Sequence, residues 1–505
     1  MYLSNLNRPT TMSLIEKNEH EIIIPRAFAF AIDDLGWNIG TSIGANGGQG
    51  PYRTGINKHM EQSDYRAIVE VGKAVGVRIQ GLFVLCEMDR ANVCATYPTT
   101  TMHGKDWDNS EIVCDEQNEI MAYVRDNAAF LEFGIHGVGH EYWPEKMHKI
   151  RAEWYNREDK KPWPEEILVD HFRCFKEILA QYGLTPENGH SLPESFVPGS
   201  YSYYWNPEED YSLGKLLHQN GVKYANTDFS FISELKPPEG KNSGGFDHGV
   251  HVINRINYGN EWWRLGALPS VPLEIQESDI IESHWANWLA QDYYLQPQVT
   301  RQFISYYKRV QETPGRYVAK NTEQLHSQWL YNNFSKVTEK LENCLVIDNS
   351  GMPDEVYKND LLGNMVIKIK LNRYEHISSV SIDHQKICGY LEDGGFAFLY
   401  LPILEKKIYR LEYSFGSQLM ENCILNDGTY NIYSLESSEN TLKFRIKMFG
   451  NQFIKLKCAK PKTIDSSNIN LLIKSTAYNE NLNMLILEVS GRDFQGEKGI
   501  ITLNF

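Results

Sequence analysis

The sequence predicts an α/β fold, a parallel sheet or (β/α) barrel of about seven strands, followed by an all-β sandwich region. Three observations carry this expectation. Up to position 342, short apolar runs alternate with amphipathic helical stretches, the pattern of a parallel sheet or barrel. Carboxylates and imidazoles recur at the ends of the apolar runs, where parallel α/β folds gather functional groups. From Asn343 onward the helical period vanishes and short alternating runs replace it.

Taken in order, positions 22–34 read as a buried, near-continuously apolar strand ending in the adjacent carboxylates Asp33 and Asp34. The glycine-rich loop at 36–55 holds Trp37 and Tyr52. It lacks the Gly-Lys-Ser/Thr ending of a phosphate cradle, so no nucleotide is expected. A helix at 63–75, with Ile68, Val69, Val71 and Val75 on one face, leads to a second strand at 77–86, then Glu87 and Asp89. A helix at 118–132 precedes a strand end at 133–136. After a Trp- and charge-rich insertion at 141–164, the helix at 165–182 stops at Gly183. A short strand at 191–198 opens into an aromatic segment, Tyr201 to Trp205. Helix 211–220 and strand 222–228 follow, then strands 251–256 and 279–284 around a loop with Trp262 and Trp263. Helices at 300–313 and 322–342 close this region. The tail shows strand patterns at 365–371, 396–401, 408–413, 441–448, 453–457, 470–473, 484–489 and 500–505. The expected organisation is an extension at 1–21, a barrel at 22–342 and an accessory β-sandwich region at 343–505.

Composition narrows the partners. A 42% hydrophobic and 23% charged chain is globular in type. A net charge of −15 with no basic block argues against nucleic acid and anionic membranes. No apolar run reaches the length of a membrane span. The polar stretch 1–21 has no signal-peptide core, so a cytoplasmic location is expected, with the cell envelope or exterior as the alternative. Eight dispersed cysteines, none in a Cys-x-x-Cys pair, are expected to be reduced thiols and exclude a zinc ribbon.

The chemistry gathers around His136-Gly-Val-Gly-His140. Imidazole is the commonest metal ligand, and glycines between two histidines let the backbone approach a ligand closely. A metal site needs a third protein ligand, and strand-end carboxylates are the candidates. Ala31-Ile-Asp-Asp-Leu-Gly36, His136-Gly-Val-Gly-His140, Phe196-Val-Pro-Gly-Ser-Tyr201 and Ile281-Glu-Ser-His284 stand in an order that resembles the polysaccharide deacetylase family (carbohydrate esterase family four and its relatives). The resemblance covers positions 22–335.

It implies an irregular barrel of the deacetylase and glycoside hydrolase type. It also implies a divalent metal, zinc above others, held by Asp34, His136 and His140. Asp33 would be the base that takes the water's proton, and His284 the acid that protonates the leaving amine, oriented by Asp228. The Pro198 turn would offer a backbone amide, that of Ser200, to the oxyanion. Two departures stand out. Gly137 replaces a Ser or Thr whose hydroxyl braces the metal loop in the family. Val197 replaces an Arg that pairs with the catalytic aspartate, for which Arg26 and Arg90 are candidate substitutes.

Aromatic side chains near the strand ends, among them Trp37, Tyr52, Trp143, Tyr201, Tyr203, Tyr204, Trp205, Trp262, Trp263, Trp285 and Trp288, either stack on sugar faces or fill the barrel mouth. The leading expectation is a metal-dependent hydrolase that removes an N-acetyl or related acyl group from a saccharide. The alternatives are a glycoside hydrolase using paired carboxylates such as Asp33 and Glu87, or a carbohydrate-binding barrel without activity.

Overall fold

The computed structural model describes residues 22–40, 58–110, 115–146, 148–206, 212–231, 238–341 and 343–505. The extension at 1–21, most of the glycine-rich loop with Tyr52, and position 211 lie outside them. Seven strands matter for the site: β1 (Arg26–Leu35), β2 (Ile79–Val84), β3 (Leu131–Gly137), β4 (Ser195–Phe196), β5 (Tyr224–Thr227), β6 (Val250–Ile256) and β7 (Ile280–His284). They pair in the order β5-β4-β3-β2-β1-β7-β6, every pairing parallel, and a parallel β5–β6 pairing closes the ring. Closure leaves no free edge, and the two-residue β4 accounts for the irregularity.

Between strands run α1 (Gln62–Val75), α2 (Asp115–Asp126), α3 (Glu165–Gln181) and α4 (Leu213–Gln219); α5 (Gln296–Glu312) and α6 (Thr322–Phe334) follow β7. Helix α3 buries Leu168, Phe172, Phe175, Ile178 and Leu179 along one stripe, the spacing the sequence shows. Two expectations need correction. Ile22–Ile23 do not belong to β1: they pair antiparallel with Val366–Lys370, and Pro25, which has no N–H to donate, separates the two segments. The helix expected to reach 342 stops at Phe334. Ser335 turns extended, and Lys336–Leu341, with β-branched Val337 and Thr338, pairs antiparallel with Cys344–Asp348.

The described residues form two compact units, Ala29–Ala74 with Ile79–Ile304, and 22–28 with Val75–Arg78 and Ser305–Phe505. The division falls before the textural change at Asn343 because α6 is sealed among the β-rich segments. Gln328 donates to the Val366 carbonyl and Asn321 to Asn431, and residues 322–331 are all buried. Within the second unit an eight-stranded sheet and two four-stranded sheets are almost wholly antiparallel. Leu456, Leu485 and Leu487 of the larger sheet share one core with Phe444, Ile446 and Ile501 of a smaller one, a sandwich packing. Seven cysteines fall among the described residues, all buried and none in a disulfide. Among these residues no helix is long and apolar enough to cross a membrane.

Candidate metal centre

Side chains alternate along a strand. In β1, Phe30 packs against Phe303 of α5 at 5.6 Å, so Ala29, Ala31 and Asp33 share the opposite, inner face. Strict alternation would turn Asp34 outward. Instead its φ is +70°, where the β1–β2 register breaks between Ile32 and Leu35. A left-handed carboxylate residue at a strand end is a local strain of the kind found at functional sites. As a result both carboxylates reach His136: Asp33 Oδ2 lies 4.0 Å from Nε2 and Asp34 Oδ1 3.5 Å.

His140 Nε2 is 3.9 Å from the same Asp34 oxygen, and the three donor atoms lie within 4.8 Å of one another. His136 Nδ1 sits 2.8 Å from the Val197 carbonyl, which can only accept. The ring therefore carries a proton on Nδ1, and in its neutral form the Nε2 lone pair faces the two carboxylates, as in metal-binding histidines. Asp34 Oδ1 is buried with no hydrogen-bond donor. Burial alone would push both aspartate carboxyls up. The Arg255 guanidinium reverses that for Asp33, and the adjacent imidazoles of His136 and His140 reverse it for Asp34. Burial would likewise strip a proton from His136, but Asp33 and Asp34 raise its pKa. The cluster demands positive charge, and a carboxylate with two imidazoles suits a divalent cation with open positions.

The loop between the two histidines is held from behind. The Glu153 carboxylate accepts from the backbone N–H groups of Val138 (2.9 Å), Gly139 (3.1 Å) and His140 (2.8 Å). It also meets His171 Nδ1 at 2.8 Å, and the other ring nitrogen bonds Thr99 Oγ1. This explains Gly137: a Cβ there would stand 2.1 Å from Glu153 Oε2. At this position the chain admits a buried carboxylate and needs glycine to do so. Gly139 is confined too, with a Cβ position 1.8 Å from the Thr100 carbonyl.

The cation that pairs with Asp33 comes from β6. Arg255 grips Asp33 with two bonds of 2.7 and 2.6 Å, and both groups are sealed from solvent. Arg26 and Arg90 do not fill this role: Arg90 donates to Asn118 and stacks on Tyr182, and Arg26 starts β1 beside Arg316. His284, at 13% the most exposed group of the set, has Nε2 4.0 Å from Asp33 and Nδ1 3.7 Å from Glu282. Glu282 also accepts from Tyr201 (2.5 Å) and Asn257 (3.2 Å). Asp228, the expected orienting group, instead accepts from Ser230, so Glu282 holds that position. The signals were present: Arg255 is the one cation in an apolar strand, and Glu282, two residues before His284, must share its face. Glu153 had no comparable signal, because its partners are backbone amides of a distant loop.

Other expected site residues divide cleanly. Pro198 leads into a turn in which Ser200 and Tyr201 have φ of 56° and 60°. Gly199 there presses on the His140 ring, with a Cβ position 3.0 Å from it. Trp37 and Trp285 are fully buried. Trp37 backs His140 at 5.2 Å, and Trp285 packs edge-on against Tyr65, so both build the wall rather than meet a ligand. Trp143, Tyr203, Trp205 and Trp288 are buried as well, whereas Trp263 is exposed. Glu87 is buried and accepts from the Asn38 amide at 2.5 Å. With Asp33 gripped by Arg255, these two make a poor glycosidase pair.

No family model and no curated protein matches the chain. Among solved structures, the GH57-type branching enzyme from the hyperthermophilic archaeon Pyrococcus horikoshii aligns at 10% identity and a TM-score of 0.25, over 61% of this chain and 64% of that one. The catalytic module of a family 98 glycoside hydrolase from Streptococcus pneumoniae aligns at 10% identity and a TM-score of 0.14, over 66% and 48%. The chain thus spans less than two thirds of either neighbour's length. Both superpositions are loose, so the site rests on its own geometry.

Proposed function

We propose that the protein is a metal-dependent hydrolase that removes an N-acetyl or related acyl group from a saccharide. The observation that carries this reading is the convergence of Asp34, His136 and His140 beside an ionised Asp33, whose Oδ2 lies 4.0 Å from both His136 and His284. Asp34, His136 and His140 would hold the ion, zinc being the best match to the donor set, and it would supply Lewis acidity and lower the pKa of a bound water. Asp33, kept ionised by Arg255, accepts the proton as the water oxygen attacks the acyl carbon. The Pro198–Ser200 turn supports the tetrahedral oxyanion with backbone amide. His284, faced by Glu282, passes a proton to the nitrogen as the C–N bond breaks, leaving a free amine and a carboxylate.

Arg255 restores the aspartate–guanidinium pair, which favours an active enzyme over a silent binding barrel. The test is metal content of the purified protein and of Asp34→Ala and His140→Ala, with acetate release from N-acetylated oligosaccharides. The reading expects about one ion per chain, lost in both variants, and release that stops with it. Unchanged metal content in the variants defeats the ligand set; no acetate from any substrate with metal bound defeats the reaction.

A further inference from the structure

The insertion between β3 and α3 is unlike the rest of this acidic chain. Positions 145–161 hold six lysines and arginines against four carboxylates, one of which, Glu153, is sealed beneath the metal loop. The insertion is fastened to the centre by the Glu153 amide, which donates to the His140 carbonyl at 3.0 Å. Two of its cations converge on one residue of the Pro198 turn: Arg151 Nε donates to Ser200 Oγ (3.3 Å) and Arg157 Nη1 to the Ser200 carbonyl (3.4 Å).

Arg157 also lies over the Phe231 ring at 5.9 Å. Phe231 stacks on Tyr201 at 4.6 Å and 13°, and Tyr201 faces Arg255 at 5.5 Å. A column of guanidinium, ring, ring and guanidinium therefore runs from the rim to the group that grips Asp33. Phe231 is 48% exposed beside Arg157 at the outer end of the column. Among the described residues Arg157 has no carboxylate partner; its contacts are Ser200 and Phe231. A half-buried guanidinium held in place with no counter-ion among the described residues, beside an exposed ring, is suited to a planar anion on a sugar.

We propose that Arg157, with Arg151 and Phe231, forms a subsite for an anionic substituent, a carboxylate or a sulfate, and that acidic saccharides are the substrate class of this site. The proposal rests on the saccharide reading above. Fixed cations on the rim also offset the buried carboxylates of the centre, which otherwise repel an acidic chain.

Calorimetric titration of the full chain with three N-acetylated oligosaccharides of equal length tests this: one with alternating hexuronic acid, one 6-O-sulfated chito-oligosaccharide, and its neutral parent. The expected result is roughly tenfold tighter binding of an acidic ligand than of the neutral one, the size of one charge-assisted contact. The preference should shrink as salt rises. In Arg157→Gln the acidic-to-neutral ratio falls toward one, while Arg157→Lys keeps part of it and metal content stays at the wild-type level in both. Whichever acidic ligand is preferred identifies the anion. Equal binding of all three, binding of none, or an unchanged ratio in Arg157→Gln overturns the proposal. Tight acidic binding without acetate release defeats the deacylase reading alone, and equal turnover of all three substrates defeats this one alone.

Discussion

Glu153→Gln is the sharpest test of how this chain keeps its two histidines in place. The substitution preserves shape but replaces one acceptor oxygen with an NH2 group. Glu153 Oε2 accepts from three successive backbone amides, and Oε1 accepts from Val138 and meets His171. With either orientation of the new amide, at least one N–H donor faces another donor in a sealed space. Bonds to a charged acceptor contribute about 1.5–3 kcal/mol each, and a buried unsatisfied donor costs about 1–3 kcal/mol. A destabilisation of about 2–4 kcal/mol follows, concentrated in the loop that aims His136 and His140. Supporting groups of this kind change metal affinity by about 10–100-fold. Chelator competition followed by elemental analysis measures the affinity, and urea unfolding the stability. Gly137→Ser supplies the converse: its Cβ falls 2.1 Å from Glu153 Oε2, so the single variant should lose metal and stability. Combining it with Glu153→Ala should recover part of both. Wild-type metal affinity in Glu153→Gln would refute the bracing role.

Two further expectations concern charge. Arg255→Met leaves Asp33 buried without its partner, a loss of about 3–5 kcal/mol for a broken buried pair. Burial then pushes the Asp33 carboxyl up, so the acid limb of the pH–activity profile should move to higher pH; a stationary limb means Asp33 is not the base. His251 in β6 is buried, and desolvation lowers its pKa from 6.5 to about 3. The unfolded chain takes up this proton below pH 6.5 while the folded one refuses it down to about 3. Stability is therefore full above pH 6.5 and declines as the pH falls through that window, by up to roughly 5 kcal/mol. His251→Gln should flatten the loss between pH 7 and pH 4 in denaturant unfolding; an identical slope in both proteins counts against it.

Local pattern alone determined much of this protein. Alternating apolar runs and helical stripes specified seven parallel strands, because period 2 and period 3.6 are properties of the backbone itself. Strand ends marked Asp33, Asp34, His136 and His284, because a parallel barrel delivers every such end to one face. The tertiary structure decided what those groups are attached to. Arg255 and Glu282 lie on strands whose inward parity is visible, yet their partners lie on neighbouring strands and in loops, and only closure of the ring pairs them. The division before α6 depends on strands that follow it by tens of residues. Trp37 and Trp285 read equally well as sugar platforms or as wall, since exposure is not written in a residue's type. Glu153 is the clearest case. A glutamate in a polar insertion has no sequence mark of burial, and its function exists only because Gly137 leaves out one carbon where its oxygen must stand.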